Sequence, residues 1–193
     1  MARPREFDEI VVLDRALDVF WRKGFDGASI EDLTTATGLS RASLYGAFTD
    51  KEGLFKAAIA SYQRAYQAAV PPLAEASSAL QWIAEFMQVA VTRACEGPTG
   101  CFVQLSLGQC DARRAEAHTL LRESAAATRT LLTTAVARAV AQHELQPTTP
   151  TEVVANYLMV VISGIAADAR AGQTRDQLQD VVAEALQTLQ RYT

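Results

Sequence analysis

The sequence predicts an all-α fold of about nine helices, and three observations carry that prediction. Apolar residues recur at i, i+3, i+4 and i+7 through most of the 193 residues. Glycine, proline and N-capping residues punctuate these stripes at helical intervals. No segment alternates apolar and polar residues as a half-buried strand would, and no internal repeat is visible. With 49% hydrophobic and 21% charged residues the chain is globular rather than disordered, and its length allows a small domain fused to a larger one.

The elements follow in order. A first helix is expected over about Asp8–Lys23, with Leu13, Leu17 and Phe20 on its buried face, and Gly24 stops it. Ser29 caps a second helix whose first turn carries Glu31 and Asp32, where the helix dipole favours negative charge, and Gly38 keeps it short. Ser40 caps a third, with Leu44 and Phe48 on one face. Thr49 and Glu52 have capping-box spacing and open a long fourth helix reaching about Val70. Pro71-Pro72 break the chain, and a fifth helix spans about Ser78–Ala94. The turn-like Glu96–Gly100 precedes a sixth helix near Cys101–Gln109 and a seventh near Ala112–His143. After Pro147, Thr149 as cap and Pro150 in the first turn open an eighth helix ending at Gly172. Thr174 with Gln177 caps the ninth, which reaches about Arg191.

The near-apolar run Val153–Ala167 is 15 residues interrupted by Asn156. A membrane span takes roughly 20 residues, so a buried helix is expected and no membrane partner. No apolar segment follows the first residues, so no secretory signal is expected. Three cysteines, odd in number and without a Cys-x-x-Cys pair, suit a reducing, cytoplasmic setting.

Two short helices joined by Thr37-Gly38-Leu39 and braced by an amphipathic helix describe a helix-turn-helix. Leu44 and Phe48 inward turn Ala42, Ser43, Tyr45 and Gly46 outward, with Arg41 at the edge of that face. Such a helix enters the major groove of duplex DNA, where Arg41 suits a guanine edge, Ser43 either partner and Ala42 a thymine methyl. Ala42 and Gly46 are small enough for close backbone approach. Tyr45, Lys51 and Ser29 are expected phosphate anchors, and Arg3 and Arg5 a minor-groove arm. Net charge is −4, and residues 1–51 hold seven basic against nine acidic side chains, so any DNA contact is local and its salt dependence modest.

These residues carry a family resemblance. Ala16–Phe20, Gly24-Phe25, Ser29-Ile30, Gly38-Leu39-Ser40, Leu44–Phe48 and Lys51–Phe55 together resemble the TetR-family DNA-binding domain over about residues 8–59. Asp168–Gly172 followed by Leu178 is similar to the end of many members. The resemblance implies a homodimer on a palindromic operator, usually a repressor released by a small molecule. It maps Tyr45 and Lys51 to backbone contacts and Arg41–Ser43 to base contacts. Ala47 departs from the pattern, because many members carry a histidine there.

Residues 1–50 are thus expected to be the reader and residues 51–193 an effector-binding and dimerisation domain. The eighth helix is apolar nearly all round and must be covered on two sides. With the ninth it suggests a two-fold, four-helix interface through Val153, Tyr157, Val161, Gly164, Val181, Val182, Leu186 and Leu189. Aromatic stripes at Tyr62, Tyr66, Trp82, Phe86 and Phe102, with Gln104 as a polar handle, are by themselves ordinary core. The resemblance makes them an effector pocket for a small, mostly apolar, unidentified molecule. The fourth helix, carrying Lys51 and Tyr62, is the expected transmitter between DNA and effector.

Cys101, following Thr99-Gly100 at a helix start, is a candidate redox or electrophile sensor beside the bland reading of a buried, inert thiol. No phosphate-cradling loop, nucleophile elbow or metal-ligand spacing is present, so neither enzyme, cofactor nor metal is expected. The rival class is a helical ligand-binding or scaffolding dimer whose reader domain is non-functional.

Overall fold

The computed structural model describes residues 7–96, 100–109 and 115–193, and among them all regular structure is helical. The elements are α1 Glu9–Gly27, α2 Ile30–Thr37, α3 Arg41–Phe48, α4 Lys51–Ala69, α5 Ala79–Cys95, α6 Phe102–Gln109, α7 Ala115–Ala141, α8 Thr151–Ala171 and α9 Arg175–Leu189. Short 3₁₀ turns occupy Leu73–Glu75 and Gln190–Tyr192. Two compact units form: Met1–Tyr66 with Ser106–Arg122, and Gln67–Leu105 with Glu123–Thr193. The first therefore includes most of α4.

In the first unit α1 begins at Asp8, whose carboxylate accepts the Ile10 amide at 2.9 Å, and it buries Val12, Leu13, Ala16 and Phe20. Gly24 adopts φ 69°, ψ 173°, a conformation open to glycine alone, and breaks the helix as expected. The kink brings Phe25 back against Phe20, centroids 6.0 Å apart, and edge-on to Phe55 at 5.0 Å. Phe20 itself meets Phe55 edge-on at 5.0 Å, so three rings lock α1 to α4.

Ser29 and Asp32 close a full capping box on α2, which ends at Gly38 in the left-handed region. Asp32 also takes the Lys23 ammonium at 2.7 Å, pinning α1 to α2. One expected cap is not made. Thr49 does not open α4; at φ 71° it closes α3, its amide donating to the Tyr45 carbonyl at 2.8 Å. Asp50 takes the capping role, its Oδ1 accepting the Gly53 amide at 2.8 Å.

In the second unit α5 packs against α8 and α9, and these two pack on each other. Trp82, Ile83, Phe86 and Met87 of α5 are fully buried. The proline segment is held by its neighbours. The Trp82 indole donates to the Pro71 carbonyl at 2.8 Å, and the Arg138 guanidinium donates to the Leu73 and Ala76 carbonyls. Glu144 Oε2 accepts the Ala79 and Leu80 amides, each at 3.0 Å, where the helix dipole favours a carboxylate.

A second expected cap also differs. Thr149 is buried and its hydroxyl donates to the Gln146 carbonyl at 2.6 Å, so Pro150 precedes α8 with no side-chain cap. Thr174 and Gln177 do form their capping box on α9.

By length and composition α8 could cross a membrane. Here Val154, Leu158, Ile162 and Ile165 are buried in the unit's core.

Candidate nucleic-acid interface

Helix α3 presents its reading face because its other face is anchored. Leu44 and Phe48 are buried, and the Ser40 hydroxyl accepts the Ser43 amide at 3.1 Å to start the helix. Arg41, Ala42, Ser43 and Gly46 are consequently exposed, with Tyr45 and Ala47 half-buried. Two i,i+4 stripes run side by side on this face. Arg41 and Tyr45 form a ridge, the guanidinium lying 5.4 Å from the ring centroid. Ala42 and Gly46 form a shallow floor, and a methyl group built at Gly46 would meet nothing within 4 Å.

The flanking anchors are placed differently. Lys51 is the first residue of α4, its ammonium 4.5 Å from the centroid of the Phe25 ring. Ser29 is exposed at the start of α2 and its oxygen accepts the Asp32 amide at 3.0 Å, so the hydroxyl proton points elsewhere. The Ser43 hydroxyl lies 3.0 Å from that of Ser40. Arg3 and Arg5 lie outside the described residues.

Two neighbouring basic residues of α1 are ion-paired. Arg22 pairs with Asp18 at 2.9 Å and Lys23 with Asp32 at 2.7 Å. The Lys23 ammonium, with the backbone amide and hydroxyl of Ser29, holds the Asp32 carboxyl at about 2, below the ordinary carboxylate range. Among the described residues no carboxylate lies within ion-pair distance of Arg41. The arrangement offers a cation beside a small-residue floor at the N-terminal end of an exposed helix, the geometry of major-groove readout.

Comparison with known proteins agrees. Residues 12–58 match the bacterial regulatory proteins of the tetR family, and residues 79–185 match the tetracyclin repressor-like C-terminal domain. The chain belongs to the TetR family. Like the family it is a DNA-binding transcriptional regulator.

It is 29% identical to the transcriptional repressor ComR of Escherichia coli K12 over 95% of this chain and 90% of that protein. It is also 26% identical to the repressor BdcR of the same organism, over 97% and 93%. A cysteine-substituted form of the TetR-family regulator CifR, solved in complex with 26 bp double-strand operator DNA, superimposes with TM-score 0.87 at 32% identity, covering 97% of this chain and all of that one.

The other site candidates of this TetR-family chain separate clearly. On α8 Val153, Tyr157 and Gly164 are exposed and Val161 half-buried; on α9 Val181 is exposed and Leu186 half-buried. Val182 and Leu189 are corrected: at 0% and 2% exposure they belong to the subunit's own core. Val160, absent from the expected set, is the most exposed large apolar residue among the described residues at 70%. Its spacing from Val153, Tyr157 and Gly164 puts it on their face, a signal present in the sequence.

Trp82, Phe86 and Phe102 are fully buried in the second unit and Gln104 is half-buried. In the first unit Tyr62 is buried edge-on to Trp21 at 5.3 Å, and Tyr66 lies 6.3 Å beyond it, half-buried. Cys101 is half-buried immediately before α6, its carbonyl accepting the Leu105 amide at 3.0 Å.

Proposed function

We propose that this TetR-family chain is a homodimeric repressor that reads a palindromic operator with α3 and is released by a small, mostly apolar effector. The observation that carries the reading is the α3 face. Arg41, with no carboxylate among the described residues within ion-pair distance, stands beside Ala42 and Gly46 while Leu44 and Phe48 hold the helix from behind. Arg41, Ala42 and Ser43 read base edges, and Tyr45, Lys51 and Ser29 anchor phosphates. Arg3 and Arg5 supply the minor-groove arm. The relatives named repressors, and the operator complex of CifR, support the same assignment.

The homodimer forms through the exposed faces of α8 and α9. Val153, Val160 and Val181, at 63%, 70% and 45% exposure, would otherwise remain in water. The apolar aromatics Phe86 and Phe102, with Trp82 and Gln104, form the effector-binding wall of the second unit. The Trp82 indole proton is already spent on Pro71, so Gln104 supplies the polar handle. The chain acts in the cytoplasm, without catalysis.

The test is enrichment of a duplex from a randomised library by the full-length protein, followed by gel shift against the intergenic DNA beside its own gene. Sequence-specific retardation that Arg41→Ala weakens is the expected result. Retardation indifferent to sequence points to a ligand-binding or scaffolding dimer with a silent reader.

A second reading makes Cys101 the sensing group, supported by its half-exposed position immediately before α6. Retention of peroxide-driven operator release in Cys101→Ser would remove it.

A further inference from the structure

We propose that Tyr45 is a positioning residue for base reading, holding the Arg41 guanidinium on its ring face; this rests on the α3 reading above. The observation is the ridge itself, a guanidinium carbon 5.4 Å from the ring centroid across one helical turn. Long side chains on a helix lean toward its N-terminus, so the Tyr45 ring leans back beneath Arg41, the first residue of α3. No carboxylate among the described residues competes for the guanidinium. The ring is half-buried and its backbone is fixed: the Tyr45 carbonyl accepts the Thr49 amide at 2.8 Å. Arg41, by contrast, is exposed at the helix start, and a free arginine there would spread over many rotamers.

A guanidinium over an aromatic face at this range is favoured about two- to five-fold over an unheld one at an exposed site. That bias narrows the rotamers from which Arg41 meets a base edge. A bidentate contact requires a defined plane, so a narrowed ensemble sharpens discrimination as well as affinity. The same ring carries a hydroxyl suited to a phosphate. One residue thus has two separable roles: the hydroxyl for affinity on every sequence, the face for selectivity at the Arg41 step.

The test uses the full-length protein and the duplex it enriches from a randomised library, with single-base-pair variants of that duplex. The readout is the ratio of Kd values, variant to enriched duplex, measured on one protein preparation so that any loss of folded fraction cancels. Arg41→Ala is expected to lower this ratio at one base step by about five-fold or more. Tyr45→Leu, which keeps bulk and helix propensity but not the ring, lowers the ratio at that same step about two- to five-fold. Tyr45→Phe weakens binding to all duplexes alike and leaves the ratio in place. In an Arg41→Ala background Tyr45→Leu changes the ratio no further.

A lowered ratio in Arg41→Ala with an unmoved ratio in Tyr45→Leu overturns the positioning role alone. Equal loss of ratio in Tyr45→Phe and Tyr45→Leu overturns it too, by assigning selectivity to the hydroxyl. An Arg41→Ala ratio unchanged at every step overturns the base-reading assignment and the positioning role together.

Discussion

Gly46 of α3 and Gly53 of α4 separate structural from functional need at the level of one methyl group. At Gly53 a Cβ would lie 2.0 Å from the Phe48 carbonyl oxygen, a backbone atom that cannot rotate away. Gly53→Ala is therefore expected to cost about 3 kcal/mol, the upper range for overpacking, measured as a fall in the denaturant midpoint. Gly46 has the opposite profile. It sits inside α3 at a cost of roughly 0.5–1 kcal/mol relative to alanine, yet open space surrounds it. Gly46→Ala should raise stability by about that amount and weaken operator binding roughly tenfold, as losing close backbone contact would. Unchanged operator affinity would remove Gly46 from the interface. The sequence shows both glycines but not this difference, because the Phe48 carbonyl reaches Gly53 only through the positive-φ turn at Thr49. The pairing of Arg41 with Tyr45 was open to reading from its four-residue spacing alone.

Among the helices, legibility follows how local the deciding contact is. Ser29 with Asp32 and Thr174 with Gln177 close their capping boxes within three residues, and the sequence shows both. Thr49 and Thr149 have similar spacing but spend their groups on a preceding turn, through the Tyr45 and Gln146 carbonyls, which residue type does not record. Helical stripes likewise identify faces without saying what covers them, so Val182 and Leu189 share a stripe with exposed Val181 yet lie in the core. The α1–α2 clamp carries a pH signature. Lys23 and Ser29 hold the Asp32 carboxyl at about 2 when folded, against about 3.9 in an unfolded chain. A depressed value means the carboxylate stabilises the fold above about pH 4, and that this contribution fades as pH falls through about 2. Asp32→Asn should thus be less stable than the parent near neutrality, with the gap in denaturant midpoint shrinking between about pH 4 and about pH 2. A constant gap across that interval would show that Lys23 does not hold the charge.

At the scale of the whole molecule, an apolar face and a nearly balanced charge have to be reconciled with gripping a polyanion. Val160→Asp places a charge at a residue 70% exposed in the subunit, so folding should survive while sedimentation shifts from dimer to monomer. Losing the second reader then removes most operator affinity, because two half-sites bind as one. The charge argument gives the sharper measurement. The chain carries −4 overall, and Arg22 and Lys23 are already committed to Asp18 and Asp32. The proposed contacts use Arg41 and Lys51, with Arg3 and Arg5 of the proposed arm, as the cations that meet phosphate or base in each subunit. Two to four neutralised phosphates per subunit, each worth about −0.9 in the slope of log K against log salt, give a dimer slope of about −4 to −7. Affinity must then come in good part from uncharged fit along the Ala42–Gly46 floor, which salt does not screen. A slope near −10 would require more phosphate contacts than these residues supply and would place the gripping surface beyond α3 and its flanks.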